Sequence, residues 1–146
     1  MKKILIVAIT FIIISGFIGC SINSPEPVTT TIIEQTQNIP NEHYYFSPFT
    51  VTGTVIISVE INVTELTPVD ILLLSAENFN KYKNLESFQY YTAGSAFNVI
   101  SKTYSGTINE GSYYIIIDNT TNMVNGGASS SGNVNVYIKV SYTTTG

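Results

Sequence analysis

The chain contains no arginine and no tryptophan, one cysteine and one histidine. Charged residues fill 11% of its 146 positions, against about a quarter in ordinary soluble domains. Each scarcity excludes something. One cysteine cannot close an intrachain disulfide, and with one histidine it cannot build a cysteine–histidine zinc site. A net charge of −4 without arginine provides no basic footprint for a phosphate backbone, so nucleic acid is not an expected partner. Nucleophilic catalysis needs a base beside the nucleophile. The lone histidine, His43, falls where a polar stretch meets the first strand pattern, which reads as a solvated junction residue rather than a catalytic base. No Asp-rich calcium loop of the EF-hand kind is present.

Long apolar runs are also scarce, and the longest lies at the start. "MKKILIVAITFIIISGFIGC" has a short basic head, an apolar run from Ile4 to Phe17, and then small residues. This is the layout of an export segment. A permanent span needs about 20 apolar residues for a core of ~30 Å, and this run is shorter and is interrupted by Thr10, Ser15 and Gly16. Phe17-Ile18-Gly19-Cys20 resembles the lipobox of prokaryotic lipoproteins, with Ile18 where Ala or Ser is usual and Phe17 where Leu is usual. The resemblance implies removal of residues 1–19 and acylation (palmitate or a similar chain) of the Cys20 thiol, anchoring the protein to the membrane from outside or from the periplasm. Each buried lipid methylene contributes ~0.8 kcal/mol, so two or more chains hold stably. An uncleaved anchor helix and plain secretion are the alternatives. Residues 20–42 are rich in Pro, Thr, Ser, Asn and Gln and read as the lipidated cysteine plus a flexible linker. Within them "VTTTIIE", Val28 to Glu34, has the β-branched density of an extra edge strand.

Residues 43–146 read as one all-β domain. In "VIISVEIN" Val55, Ile57, Val59 and Ile61 alternate with Ile56, Ser58, Glu60 and Asn62, a period of two that marks a strand with one buried face. Val134, Val136, Ile138, Val140 and Tyr142 alternate in the same way. "VDILLLS" and "SYYIIIDN" are nearly unbroken apolar runs, which predicts central strands covered on both faces. Weaker strands are predicted at Tyr44–Val51, Ser87–Tyr91, Phe97–Ser101 and Thr103–Ile108, and "AENFNKYKNLE" has room for one helical turn. Strands separated by turn residues, with no long helical pattern, predict an antiparallel two-sheet β-sandwich of about eight strands. "TNMVNGGASSSGN", Thr121 to Asn133, is the longest loop.

"YYFSPFTVTGTVIISVEI", "VDILLLSAENFNKY" and "INEGSYYIIIDNT" together resemble the motif order of jelly-roll-like sandwiches of the bacterial pre-peptidase C-terminal type and of the Golgi-dynamics (GOLD) type. Gly111, Tyr113, Tyr114, Asp118 and Asn119 match the family's last motif, a Gly-X-Tyr-Tyr strand ending in Asp-Asn, and Asp70 matches its Asp-containing strand. The resemblance spans about residues 44–142 and implies a non-catalytic extracellular module for adhesion, cargo contact or anchoring of a neighbour.

The residues themselves offer few chemical candidates. Tyrosine doublets recur at Tyr44-Tyr45, Tyr90-Tyr91 and Tyr113-Tyr114, and a strand puts one ring of each doublet in and the other out. Tyr45, Tyr91, Tyr114 and Tyr137 are the candidate ligand surface, with cell-surface polysaccharide or an envelope protein as the partner. Asp70 and Asp118 are weak calcium candidates, and no other cofactor is expected. Glu60, Glu65, Asp70 and Asp118 are the carboxylates from which a glycosidase pair, about 5–9.5 Å apart, would be drawn. That enzyme reading ranks last. Asn62-Val63-Thr64 and Asn119-Thr120-Thr121 are N-x-Thr acceptor sequences, so Asn62 and Asn119 are candidate glycosylation sites. The leading expectation is a lipid-anchored, non-catalytic envelope module. An accessory subunit docked on a larger membrane complex and a carbohydrate-binding module are the alternatives.

The anchor makes the first prediction. Wild type should partition into the detergent phase of an envelope extract and Cys20→Ser into the aqueous phase; equal partitioning of the two would remove the acyl group from this reading.

Overall fold

The computed structural model describes residues 26–121, 124 and 127–144. The expected export segment and Cys20 lie outside the described residues. The elements in chain order are β1 (Thr29–Ile39), β2 (His43–Val51), β3 (Val55–Val63), β4 (Val69–Ser75), α1 (Ala76–Lys83), a 3-10 turn (Thr92–Gly94), β5 (Ala96–Val99), β6 (Ser101–Ile108), β7 (Gly111–Asn119) and β8 (Val134–Thr144). The strands form two four-stranded sheets in the orders β1-β8-β3-β6 and β2-β7-β4-β5. All neighbours are antiparallel. Successive strands mostly alternate between the sheets, and the order is that of a jelly roll.

The alternating segments do what their period dictates. Val55, Ile57, Val59 and Ile61 of β3 and Val134, Val136, Ile138 and Val140 of β8 point inward, where they meet Tyr45, Val69, Ile71, Leu73, Ile115 and Ile117 of the other sheet. The outer face of the first sheet stays in solvent, with rows such as Thr31–Ser141–Ser58–Ser105 across all four strands. The two unbroken apolar runs became β4 and β7, the inner strands of the second sheet. Their outer side chains, Leu72, Leu74 and Ile116, are buried with Tyr44 under Phe79 and Tyr82 of α1. That helix runs eight residues rather than one turn. Ser75 caps it by accepting from the Asn78 N–H at 3.3 Å, and Lys81 pairs with Glu77 at 2.6 Å one turn away.

Three expectations are corrected. The stretch read as linker contributes β1, which runs to Ile39 and pairs with β8 from Thr29–Thr143 to Ile39–Val134. The edge strand that the β-branched density of Val28–Glu34 suggested is present and longer than that stretch; its polar second half looked like linker because an edge strand with one face in water needs few apolar residues, here Ile33 and Ile39 in the core. The domain therefore begins within residues 20–42 and not at residue 43. Ser87–Tyr91 is not a strand. Its backbone is tied crosswise instead, by Gln89 N–H to Asn78 Oδ1 at 2.9 Å and Tyr91 N–H to Leu73 O at 2.9 Å. Third, Tyr44 and Tyr45 are both buried, because the sheet that holds them is covered on both faces.

Gly106 sets how closely the 3-10 turn lies on β6. A Cβ there would stand 2.6 Å from Ala93 Cβ and 2.7 Å from Ala93 Cα, and backbone yields less readily than a side-chain tip. Gly106→Ala should therefore lower the free energy of unfolding by about 1–3 kcal/mol in urea titration. Thr103→Ala, exposed on the same strand, should change it by no more than about 0.5 kcal/mol. Equal effects would show that the close approach is not a constraint.

Candidate functional site: an uncharged aromatic groove

The cover on the second sheet is incomplete. Helix α1 starts at Ala76 and runs over one end of β2 and β7 only, so the other end of these strands stays open. There Pro48 faces Tyr114, Phe49 faces Tyr113 and Thr50 faces Ser112 in the β2–β7 register. With Ala76 these residues line an open groove of about 420 Å³, within the range of small-ligand sites, about 300–1,000 Å³. No side chain lining it carries a formal charge. The Thr50 and Ser112 hydroxyls lie 3.2 Å apart, both exposed.

The rings about the groove are held in place, with Tyr114 on its side of the sheet and Phe49 and Tyr113 buried on the other side, in the core. Tyr114 stacks on Phe79 with centroids 4.2 Å apart and planes at 17°. Tyr113 stacks on Phe49 at 5.7 Å, and its hydroxyl donates to the Asn109 carbonyl at 2.9 Å. Burial raises the Tyr113 phenol above the ordinary tyrosine range, with neighbouring Tyr91 adding to the shift. Tyr91 stands edge-on to Tyr113 at 5.2 Å and 77° and is 42% exposed. Its backbone is fixed by the bond to Leu73 and by the Ser95 hydroxyl, which donates to the Tyr91 carbonyl at 2.8 Å.

The four tyrosines expected to share a surface are dispersed. Tyr114 lines the groove, while Tyr91 packs instead against Tyr113, a ring buried in the core. Tyr45 is 1% exposed and belongs to the core. Tyr137 lies on the outer face of the opposite sheet, where its hydroxyl donates to Glu34 at 3.3 Å. Sequence reasoning missed Pro48, Phe49, Thr50, Ser112 and Tyr113. One sign was available: a proline within a strand marks an edge, and Pro48 makes β2 the edge on which the groove opens.

The chain's two aspartates form a different feature. Asp70 and Asp118 are cross-strand partners on β4 and β7, each 1% exposed. Asp70 Oδ1 accepts the N–H groups of Asn98 at 2.8 Å and Ala128 at 2.9 Å. Gly127 passes so close over the carboxylate that any Cβ there would collide with it. Asp118 Oδ1 accepts the Thr120 N–H at 2.9 Å. These bonds tie down loops. Among the described residues no group of three or more His, Cys, Asp or Glu side chains gathers to hold a metal. Burial pushes the Asp70 carboxyl above the ordinary aspartate range, and the two N–H groups pull it part of the way back. Burial also raises the Tyr82 phenol strongly, and the Asp118 charge adds to it.

The remaining candidates are ordinary surface or scaffold groups. Glu65 accepts from Asn135 N–H and Nδ2, both at 2.7 Å, and these bonds lower its pKa. Glu60 projects from the outer face of the first sheet, opposite Lys139. His43 Nδ1 lies 2.8 Å from the Asn41 carbonyl. Asn62 is exposed. Asn119 is 1% exposed and donates to the carbonyls of Ile39, Pro40 and Gly132 at 3.2, 3.1 and 2.8 Å. Its acceptor sequence is thus closed in the folded chain, because a strand-end amide is needed there to stitch three backbone segments.

Fold and site together define an antiparallel jelly-roll sandwich, one sheet face bare and polar, the other partly roofed by a helix with an uncharged aromatic groove at the roof's end. No family model and no curated protein matches the chain. Among solved structures it is similar to the pre-peptidase C-terminal domain of a collagenase from Bacillus anthracis. That match has 12% identity and a TM-score of 0.49, and covers 78% of this chain and 86% of that one.

A carboxyl raised in the folded state contributes stability that is complete below its unfolded pKa and is lost as pH climbs through the folded value. Asp70→Asn keeps the Oδ1 acceptor and removes the charge. Its melting temperature should therefore gain on wild type as pH rises from about 4 to about 7. A difference that stays constant across that range would show that Asp70 ionises without cost.

Proposed function

We propose that this chain is an exported, lipid-anchored β-sandwich module that holds a partner at the cell envelope without chemistry of its own. Cys20 carries the anchor and the groove beside Pro48 carries the contact. The observation behind this reading is the groove: an open depression bordered by Pro48, Thr50, Ala76, Ser112 and Tyr114, with no charged side chain in its lining. Its walls are fixed before any ligand arrives, which lowers the ordering cost of binding. Rings with hydroxyl tips suit recognition, since each offers rigid apolar area and a polar handle. The polar groups at the groove are hydroxyls and phenols, without a histidine or carboxylate to move protons at neutral pH. Edge docking on a larger complex receives less support at this end of the molecule, because Pro48 removes an N–H from the β2 edge.

Thr50 is exposed and lines the groove, so Thr50→Trp fills the groove without touching the core. Full-length Thr50→Trp should lose at least tenfold in retention on envelope fragments of the producing cell. Thr103→Trp, on the opposite sheet, should be retained like wild type. Equal retention of both variants, with fixed-ratio crosslinking to one larger membrane protein, would replace this reading with the accessory-subunit one.

A further inference from the structure

We infer that the end of the sandwich that holds the groove is kept against the lipid headgroup layer of the membrane that carries the anchor; this rests on the anchor reading. Chain length carries the inference. Pairing begins at Val28, whose N–H donates to Thr144 Oγ1 at 3.1 Å and whose carbonyl accepts the Thr144 N–H at 3.0 Å. Between Cys20 and Val28 the chain, whatever its conformation, reaches no more than about 26–29 Å. A linker running to residue 42 would reach about 70 Å and leave the domain free to turn over. β1 has 11 residues and, at about 3.4 Å for each step, is roughly 34 Å long. Standing the domain on its Ile39 end would lift Val28 beyond the reach of a Cys20 held at the membrane. The domain can stand on its Val28 end or lie over, but it cannot stand inverted.

The register says what lies at the Val28 end. Val55 pairs with Thr144, the partner of Val28, and Thr29 pairs with Thr143. Val55 follows Val51, the end of β2, after a short turn. Val51 pairs with Gly111, and Ser75 pairs with Tyr113. Thr50, Ser112 and Ala76, which border the groove, therefore sit at the end where the chain enters from the anchor. The opposite end holds Ile39, Val63 and Asp118, together with the exposed loop residue Leu66.

Charge does not supply this orientation. Lys83 follows Tyr82, which packs on Tyr44 toward the opposite end, and Lys102 lies opposite Ile61. Lys81 and Lys139 are paired with Glu77 and Glu34. No described lysine is left at the Val28 end to draw anionic lipid. The constraint is covalent, so salt should not weaken it.

The test uses the full-length lipidated protein in phosphatidylcholine vesicles that carry an acceptor dye on a fraction of the headgroups. Cys20 is the only cysteine and its acylated thiol is blocked, so Thr50→Cys and Leu66→Cys each take a single donor label. Both positions are exposed. Energy transfer to the headgroups should be at least about twofold greater from position 50 than from position 66, in about 0.1 M and about 0.5 M salt alike. Inserting about twenty Gly and Ser residues after Ser21 should bring the two positions together, because the longer chain lets the domain turn over. Equal transfer from both labels without the insertion, greater transfer from position 66, a difference that salt removes, or a difference that survives the insertion would each overturn the inference while the protein still floats with the vesicles. Protein that does not float, with an intact mass showing a free Cys20 thiol, would bring down the anchor reading and this inference with it.

Discussion

The pairing of β4 with β7, two strands greasy on both faces, is the constraint from which the rest of this structure follows. They run side by side from Asp70–Asp118 to Ser75–Tyr113. Their inward residues are satisfied by the other sheet. Their outward residues, Leu72, Leu74 and Ile116, would otherwise face water, at a cost of roughly 1.5–3 kcal/mol for each large side chain. Helix α1 removes most of that cost by laying Phe79 and Tyr82 across them, and it can do so because it leaves β4 directly through the Ser75 cap. A helix of eight residues spans only about 12 Å. The groove is what remains where this short roof ends, so it arises from the same burial requirement that stabilises the fold.

The buried polar residues belong to the same arrangement. A carboxylate or amide inside a double layer is tolerated when it is hydrogen-bonded, and here Asp70 Oδ1, Asp118 Oδ1 and Asn119 Nδ2 each bond to backbone. Asp70 ties Asn98 of β5 to the loop before β8. Asn119 joins the β1–β2 turn to Gly132. Such groups contribute less to stability than to uniqueness, since each bond is satisfied in one register of the loops and lost in a shifted one. The raised pKa of Asp70 records what this costs.

Much of the fold was legible from side-chain period. β3 and β8 stood out because one wet face and one dry face impose strict alternation, and β4 and β7 because the absence of alternation means cover on both sides. β1 was legible only in its first half, from the β-branched residues of Val28–Glu34, since an edge strand with few buried residues otherwise has the composition of a linker. The segment Ser87–Tyr91 carried aromatic residues in a strand-like rhythm, yet its N–H groups are taken by Asn78 and Leu73, partners that lie outside any local window. The site was legible in part. Tyr114 was singled out as an amphipathic ring, but Tyr45, Tyr91 and Tyr137 looked equivalent to it: Tyr45 is core, Tyr91 packs on the core ring of Tyr113, and Tyr137 lies on the far sheet.

What the sequence by itself determined is which residues of each long strand turn inward and which segments must be covered twice, because burial of a face acts on every second residue of a continuous stretch. Tertiary structure alone decided that Asp70 meets Asp118, that Tyr91 leans on Tyr113, and that Pro48 and Thr50 lie open beside Ser112 and Tyr114. Those contacts join residues tens of positions apart, and a period of two states which way a side chain faces but not which strand lies next to it or where a covering helix stops.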